Sequence, residues 1–379
     1  MRLAAVQAEM GWRGLGALIV SDPSNMNWLT GYDGWSIYVH QAAIVPASGP
    51  PLLWTRTQDM PGAWQTAWIA DADVLTYPEA HVQNPPHHPY ETLCRHLLDR
   101  GLAAGPIGVE MDNYYFSAAC LEILRRDLPG ARIEDATGLV NWRRAVKSAA
   151  EIALMEKAGR VSAEIHRAVR ETMREGTPKH ELVAEAARAA IRGAPGVSGD
   201  YAAIAPIAPS GREAAASHLT WNDRPLARGE ATYFEISGCH RRYHCPVSRT
   251  YHVGEPSTEI RRGEAAVLRA IEDALAAAKP GESCEGVARA VYASFARAGF
   301  RKDNRTGYPV GLSYPPDWGE RTMSLRPGDE TPLEANMTFH LMPGLWTPDW
   351  GVAITETFVV TQTGGYRLAD VPQEIFVLP

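Results

Sequence analysis

Glu235 stands between Phe234 and Ile236 in a stretch patterned as a strand, and a carboxylate so flanked is set for burial. A buried, unpaired carboxylate is costly, so it needs a cation opposite it. Two uses are open to such a group. It can attack an electrophilic carbon or take a proton from water, or it can be a structural partner of Arg241 or Arg249. Glu356 lies in a second strand-like stretch, 352–361, where a slip of one residue decides whether it faces the interior or solvent. The chain has no HExxH, GxSxG, Walker A or GxGxxG motif and no zinc-finger cysteine spacing. Any chemistry must come from side chains dispersed over strands.

Local punctuation indicates the elements that position these residues. Residues 17–20 form a short apolar strand; Asp22-Pro23 then supplies an N-cap and first helical residue, and Gly31 a C-terminal stop. Stretches 37–45 and 51–54 flank an Ala-Ser-Gly-Pro turn and predict a strand pair. A strand over 107–110 and a Ser117-capped helix to about 127 complete a small α/β domain. Ser148-Ala-Ala-Glu151 is a capping box, and Ile152, Met155, Ala158, Ile165 and Val169 recur at helical spacing until Gly176 and Pro178. Further helices are predicted over 180–192, 258–279 and 283–298, and strands over 232–236, 248–253, 337–342 and 352–361. Paired helices among long strands indicate α+β, with a domain boundary near 141–147. The stretch Pro85-Pro86-His87-His88-Pro89 predicts an exposed loop.

A chain of 379 residues is long enough for two cores, and 45% apolar with 21% charged residues is a globular balance. The net charge of −7 offers no footprint for nucleic acid or an anionic membrane. No apolar run reaches the length of a span, and Gln7, Glu9 and Arg13 interrupt any leader-like core. Five cysteines without a CxxC suit a reducing compartment. The expectation is a cytoplasmic protein.

Asn141-Trp-Arg-Arg-Ala-Val-Lys-Ser148, Glu151-Ile152 and Met155, with segments 234–238, 245–250, 305–313, 340–346 and 352–361, resemble creatinase and the Xaa-Pro peptidases. The resemblance implies a pita-bread catalytic domain over 144–379, a smaller creatinase-type N-terminal domain over 1–143, and a homodimer. The peptidases so resembled hold two metal ions with two Asp, one His and two Glu. In this chain Glu235 takes the first Asp position, Pro246 the second, Tyr308 that of the His and Met342 that of one Glu; Thr355-Glu356 covers the last with a one-residue ambiguity. Proline offers no ligand atom, and two carboxylates at most do not make a site for a hard divalent pair. The expectation is therefore a site without metal or other cofactor.

Longer strings resemble the ectoine hydrolases: Ser24-Asn-Met-Asn-Trp-Leu-Thr-Gly-Tyr-Asp-Gly-Trp35, Gly108-Val-Glu-Met-Asp-Asn-Tyr-Tyr115, His218-Leu-Thr-Trp-Asn-Asp-Arg-Pro225, Tyr308-Pro-Val-Gly-Leu-Ser-Tyr-Pro-Pro-Asp-Trp-Gly-Glu-Arg321 and Phe339-His-Leu-Met-Pro-Gly344. This resemblance spans both domains. It implies opening of ectoine's cyclic amidine by water to an N-acetylated 2,4-diaminobutyrate, on which a deacetylase of the same route acts next. An amidinium calls for an anion, an aromatic surface and, for the substrate's carboxylate, a donor. The family position of Glu235 implies a nucleophile or base, and that of His218 a proton shuttle, its ordinary pKa suiting transfer in both directions. Glu356 is expected to activate water or steady the amidinium. Tyr308, His340 and Asp317 are expected to contact substrate, with Trp35 and Tyr38 as a wall supplied across a dimer. Packing accounts equally for the aromatic residues, and a carbonyl-bonded loop imidazole for His218. Arg321 is a candidate for the substrate's carboxylate. The alternatives are another creatinase-like amidine or amide hydrolase, a metal-dependent Xaa-Pro peptidase, and a catalytically dead binding module.

Overall fold

The structure is a computed structural model and describes residues 1–84 and 86–379; Pro85, which opens the His-rich loop expectation, lies outside the described residues. Two compact units divide the chain, Met1–Arg144 and Ala145–Pro379.

The first unit is built on a six-stranded mixed sheet in the order Val74–Tyr77, Leu52–Arg56, Ala42–Pro46, Ala17–Val20, Ile107–Val109, Ile133–Asp135. The strand expected over 37–45 begins only at Ala42, since residues 37–39 turn and bend and 40–41 are irregular. Alternation along the central strands fills both faces. Ala17, Ile19, Ala42 and Ile44 pack towards helices Tyr90–Asp99 and Ala118–Asp127, while Leu18, Val20, Ala43 and Val45 pack towards Arg2–Trp12, Pro23–Thr30 and Leu139–Arg144. Asp22 accepts the Ser24 amide and Gly31 ends the helix at φ +79°, a conformation glycine adopts without Cβ cost.

In the second unit the Ser148 capping box opens a 24-residue helix, Ala149–Thr172. Its packing partner is the hairpin Ala231–His240 and Tyr243–Val253, extended in parallel by Phe376–Leu378. The contact is close: a Cβ on Gly238 would meet Ala158 O at 2.2 Å. Ser162 Oγ donates to Cys245 O, and the His166 ring lies 2.9 Å from the Tyr251 hydroxyl and 3.1 Å from Val247 O. The hairpin register pairs Gly238 with Cys245, Ile236 with Val247 and Phe234 with Arg249, so these residues share the helix-covered face. Tyr233, Glu235 and Ser237, opposite Thr250, Ser248 and Pro246, share the other. A four-stranded antiparallel sheet, Gly364–Arg367, Glu356–Thr361, Thr338–Leu341 and Gly307–Pro309, lies over helices Thr258–Ala277 and Cys284–Arg297, which enclose the main apolar core of this unit. The continuous strand expected over 352–361 is broken at residues 353–355.

Candidate active site

Glu235 projects from the hairpin face turned away from helix Ala149–Thr172, partly accessible as a residue but with its carboxyl desolvated. Burial pushes this carboxyl up to about 7, and the Ser248 hydroxyl, donating to Oε2 at 3.1 Å, opposes the shift. Ser248 sits directly opposite Glu235 in the register, which is why the two meet. From Ser248 a chain of polar contacts runs into the neighbouring sheet. The Ser248 amide donates to Thr355 Oγ1 at 2.7 Å, and Thr355 Oγ1 is 2.8 Å from His340 Nε2. His340 Nδ1 is 3.2 Å from the Tyr308 oxygen, which also accepts the Trp318 indole N–H at 2.8 Å.

The proton inventory of this chain is informative. Burial pushes His340 down to about 3, with Arg305 adding to the effect, so its ring is neutral and carries one N–H. If that proton is on Nδ1, it goes to the Tyr308 oxygen and Thr355 donates to Nε2. The Tyr308 hydroxyl proton is then left over. In the other tautomer Tyr308 donates to Nδ1, and Thr355 keeps the spare proton. Either way one hydroxyl of the cluster can donate to a bound molecule. Burial raises Tyr308 above the usual phenol range, and the Glu235 carboxylate raises it further, so Tyr308 stays protonated beside that carboxylate.

An aromatic surface accompanies the carboxylate. Tyr233 shares the face of Glu235, its hydroxyl donates to Ala216 O at 2.8 Å, and it lies 3.4 Å from the Trp346 indole nitrogen. Lys302 lies over the Trp346 ring at 5.0 Å, and burial pushes its ammonium down to about 8. The exposed Arg305 guanidinium packs over the Tyr308 ring at 4.5 Å, with no carboxylate partner among the described residues.

Sequence expectations and geometry agree unevenly. Glu235, Tyr308 and His340 come together in one cluster. Asp317 is half-buried nearby, and its Oδ1 accepts the Gly319 amide at 2.9 Å, closing a turn. His218 is exposed on the 216–223 loop, 3.2 Å from its neighbour Ser217 Oγ. That loop is tied beside Glu235 through Tyr233–Ala216 and through Ala208, whose amide donates to Leu219 O. Trp35 and Tyr38 belong to the first unit and are exposed, Tyr38 lying under the Arg56 guanidinium.

Glu356 is not placed as expected. It is fully buried on the other side, where Oε1 accepts Arg249 Nη2 at 2.7 Å and Gln373 Nε2 at 2.9 Å. The ambiguity between Thr355 and Glu356 resolves in favour of Thr355 facing the cluster, and Glu356 becomes the structural partner of Arg249. Ser248, Trp318, Tyr233, Trp346 and Arg305 were not singled out as site residues from the sequence, and Thr355 only as the alternative to Glu356 at the last ligand position. Cross-strand register could have indicated Ser248; Trp318, Tyr233, Trp346 and Arg305 carry no local signal.

Residues 153–362 match the model of Metallopeptidase family M24, and residues 2–146 that of the Creatinase/Prolidase N-terminal domain. The chain belongs to the M24 family in its two-domain, creatinase-type form. It is 50% identical over 383 residues to an ectoine hydrolase of Halomonas elongata, with 99% of this chain and 96% of that protein covered. Among solved structures, dipeptidase PepE from Mycobacterium ulcerans superimposes with a TM-score of 0.81 at 26% identity, covering 100% of this chain and 97% of that one. A dipeptidase from Pyrococcus horikoshii gives 0.84 at 22% identity over the whole of both chains.

The family description implies a metal, and the donor set at Glu235 does not fit one. In the cluster Ser248 and Thr355 offer hydroxyls, Tyr308 a protonated phenol and His340 a neutral imidazole already engaged by Tyr308 and Thr355; at the other family ligand positions stand Pro246, whose carbonyl Thr357 Oγ1 takes, and Met342. One carboxylate among neutral donors is not a centre for hard divalent ions.

Proposed function

We propose that this hydrolase opens the cyclic amidine of ectoine with water, without a metal at Glu235, giving N-acetyl-L-2,4-diaminobutyrate. The observation that carries the reading is Glu235 itself, a lone desolvated carboxylate beside a protonated tyrosine, in a chain half identical to an ectoine hydrolase. A delocalised amidinium between this carboxylate and the aromatic surface would relieve the desolvation that raises its pKa. Glu235 then attacks the amidine carbon or takes a proton from the attacking water. Both routes add one water across a C–N bond: the carbon becomes an acetamide carbonyl, and one ring nitrogen leaves as the amine. His218 is assigned the proton given to that nitrogen, which requires its loop to close over the bound ring. Arg305 is assigned the substrate carboxylate, since a guanidinium without a carboxylate partner is the natural donor. The family resemblance adds a homodimer, with Trp35 and Tyr38 supplied to the ring from the partner subunit, and a deacetylase as the next enzyme.

The test is product analysis by NMR after chelator-treated protein is mixed with ectoine. The expected result is N-acetylated diaminobutyrate from the wild type, none from Glu235→Gln, and a KM raised about tenfold or more in Arg305→Ala, as for a lost charged hydrogen bond. Turnover only after Mn²⁺ or Zn²⁺ is added, or only on dipeptides, overturns the reading in favour of a peptidase.

A further inference from the structure

The His-rich loop plays no part in the reading above, yet it completes a cluster of a different kind. His40, His88 and the buried Cys120 present ligand atoms that all lie within 4.8 Å of one another. His40 Nδ1 and Cys120 Sγ are 3.7 Å apart, and the two imidazole centroids 4.7 Å. Zinc–nitrogen bonds of about 2.05 Å and zinc–sulfur bonds of about 2.3 Å at tetrahedral angles place N and S roughly 3.6 Å apart. Both rings are available as neutral ligands. Burial, reinforced by the neighbouring imidazole, pushes His40 down to about 4, and burial lowers His88 as well. Cys120 lies in the first turn of helix Ala118–Asp127, 3.2 Å from the hydroxyl of its N-cap Ser117; burial pushes its thiol up, the Ser117 hydroxyl opposes the shift, and a bound cation would favour the thiolate. The two histidines also line a cavity of about 300 Å³ together with Tyr38, Tyr77 and His81. Within it His81 Nδ1 is buried with no hydrogen-bond partner among the described residues.

We propose that His40, His88 and Cys120 hold a borderline-soft transition-metal ion of the zinc class in the first unit, with His81, which lines the same cavity but lies outside the three-ligand cluster, turning in as the fourth ligand. Two or three imidazoles, one thiolate and no carboxylate select such an ion over magnesium or calcium. Binding has a definite cost: His88 must give up the Tyr90 amide, which donates to its Nδ1 at 3.2 Å. The ion would tie the 38–40 segment to the starts of helices Tyr90–Asp99 and Ala118–Asp127, so its role is to stabilise this unit rather than to serve Glu235.

The test is a titration of chelator-stripped, reduced full-length protein with Co²⁺, read by absorbance and so independent of turnover. The expected result is saturation at one equivalent, with a thiolate-to-cobalt charge-transfer band and tetrahedral visible bands. Both are lost in Cys120→Ser, whereas His88→Ala weakens binding at least about tenfold. Zn²⁺ should bleach the bands and raise the Tm of the wild type more than that of His88→Ala. A band that survives Cys120→Ser, or no thiolate band in the wild type, overturns the proposal and leaves the histidines as part of the aromatic packing around Tyr90. Should Cys120→Ser fail to fold, the half-buried His88→Ala carries the same decision.

Discussion

Glu235 titrates near pH 7 because burial raises its carboxyl and the Ser248 hydroxyl lowers it less. Acting as nucleophile or base, it must be ionised in the free enzyme, so kcat/KM falls as pH drops through about 7. A bound amidinium pulls the same group down, and the acid limb of kcat lies below that of kcat/KM. Ser248→Ala removes a hydrogen bond that favours the carboxylate, so its kcat/KM limb should move upward by roughly one pH unit; a limb that stays put or moves down would contradict the pairing. The burial of Glu235 was legible in the sequence, because Phe234 and Ile236 flank it. Its pairing with Ser248 was not, since that depends on the register between two strands and not on either strand alone. Arg305 and Trp346 were hidden for a related reason: their roles come from stacking on residues distant in sequence.

The hairpin segregates two chemistries by face. Arg249, one position beyond Ser248, points to the helix-covered side and there uses all five guanidinium donors. Nε goes to Pro372 O, Nη1 to Ser248 O and Thr355 O, and Nη2 to Val371 O and Glu356. One side chain thus ties the hairpin to the 353–355 break and the C-terminal segment. Removing one partner of such a buried pair leaves a charge uncompensated, which costs about 3–5 kcal/mol. Glu356→Gln should lower Tm by roughly ten degrees while kcat per folded molecule is retained. A stable variant without turnover would return Glu356 to the chemistry. At this scale the helices were the legible part, because caps such as Ser148, Ser117 and Asp22 are local signals. The strand over 352–361 was misread because tertiary hydrogen bonds from Ser248 and Arg249 interrupt it at Thr355, and that interruption turns Thr355 rather than Glu356 towards the cluster.

Each unit encloses its own apolar core, with sheet and helices packed on both faces in Met1–Arg144 and a helix pair beneath the sheet in Ala145–Pro379. The proposed metal ligands all belong to the first unit and the Glu235 cluster to the second, so hydrogen exchange can distinguish the two sites on the intact protein. Strand amides already bonded in the ladders have little protection to gain, so the response should appear in loops. In the inactive Glu235→Gln variant, ectoine is expected to slow exchange over 211–223, where His218 must approach the ring, and over 303–320, which carries Arg305 and Asp317. Zn²⁺ should instead slow exchange over 36–41 and at the first turns of helices Tyr90–Asp99 and Ala118–Asp127. Ectoine protection without any change in 211–223 would mean that the loop does not close and that another group protonates the leaving nitrogen. Protection of 211–223 by Zn²⁺ would place the metal with the Glu235 cluster and undo the separation argued from its donor set.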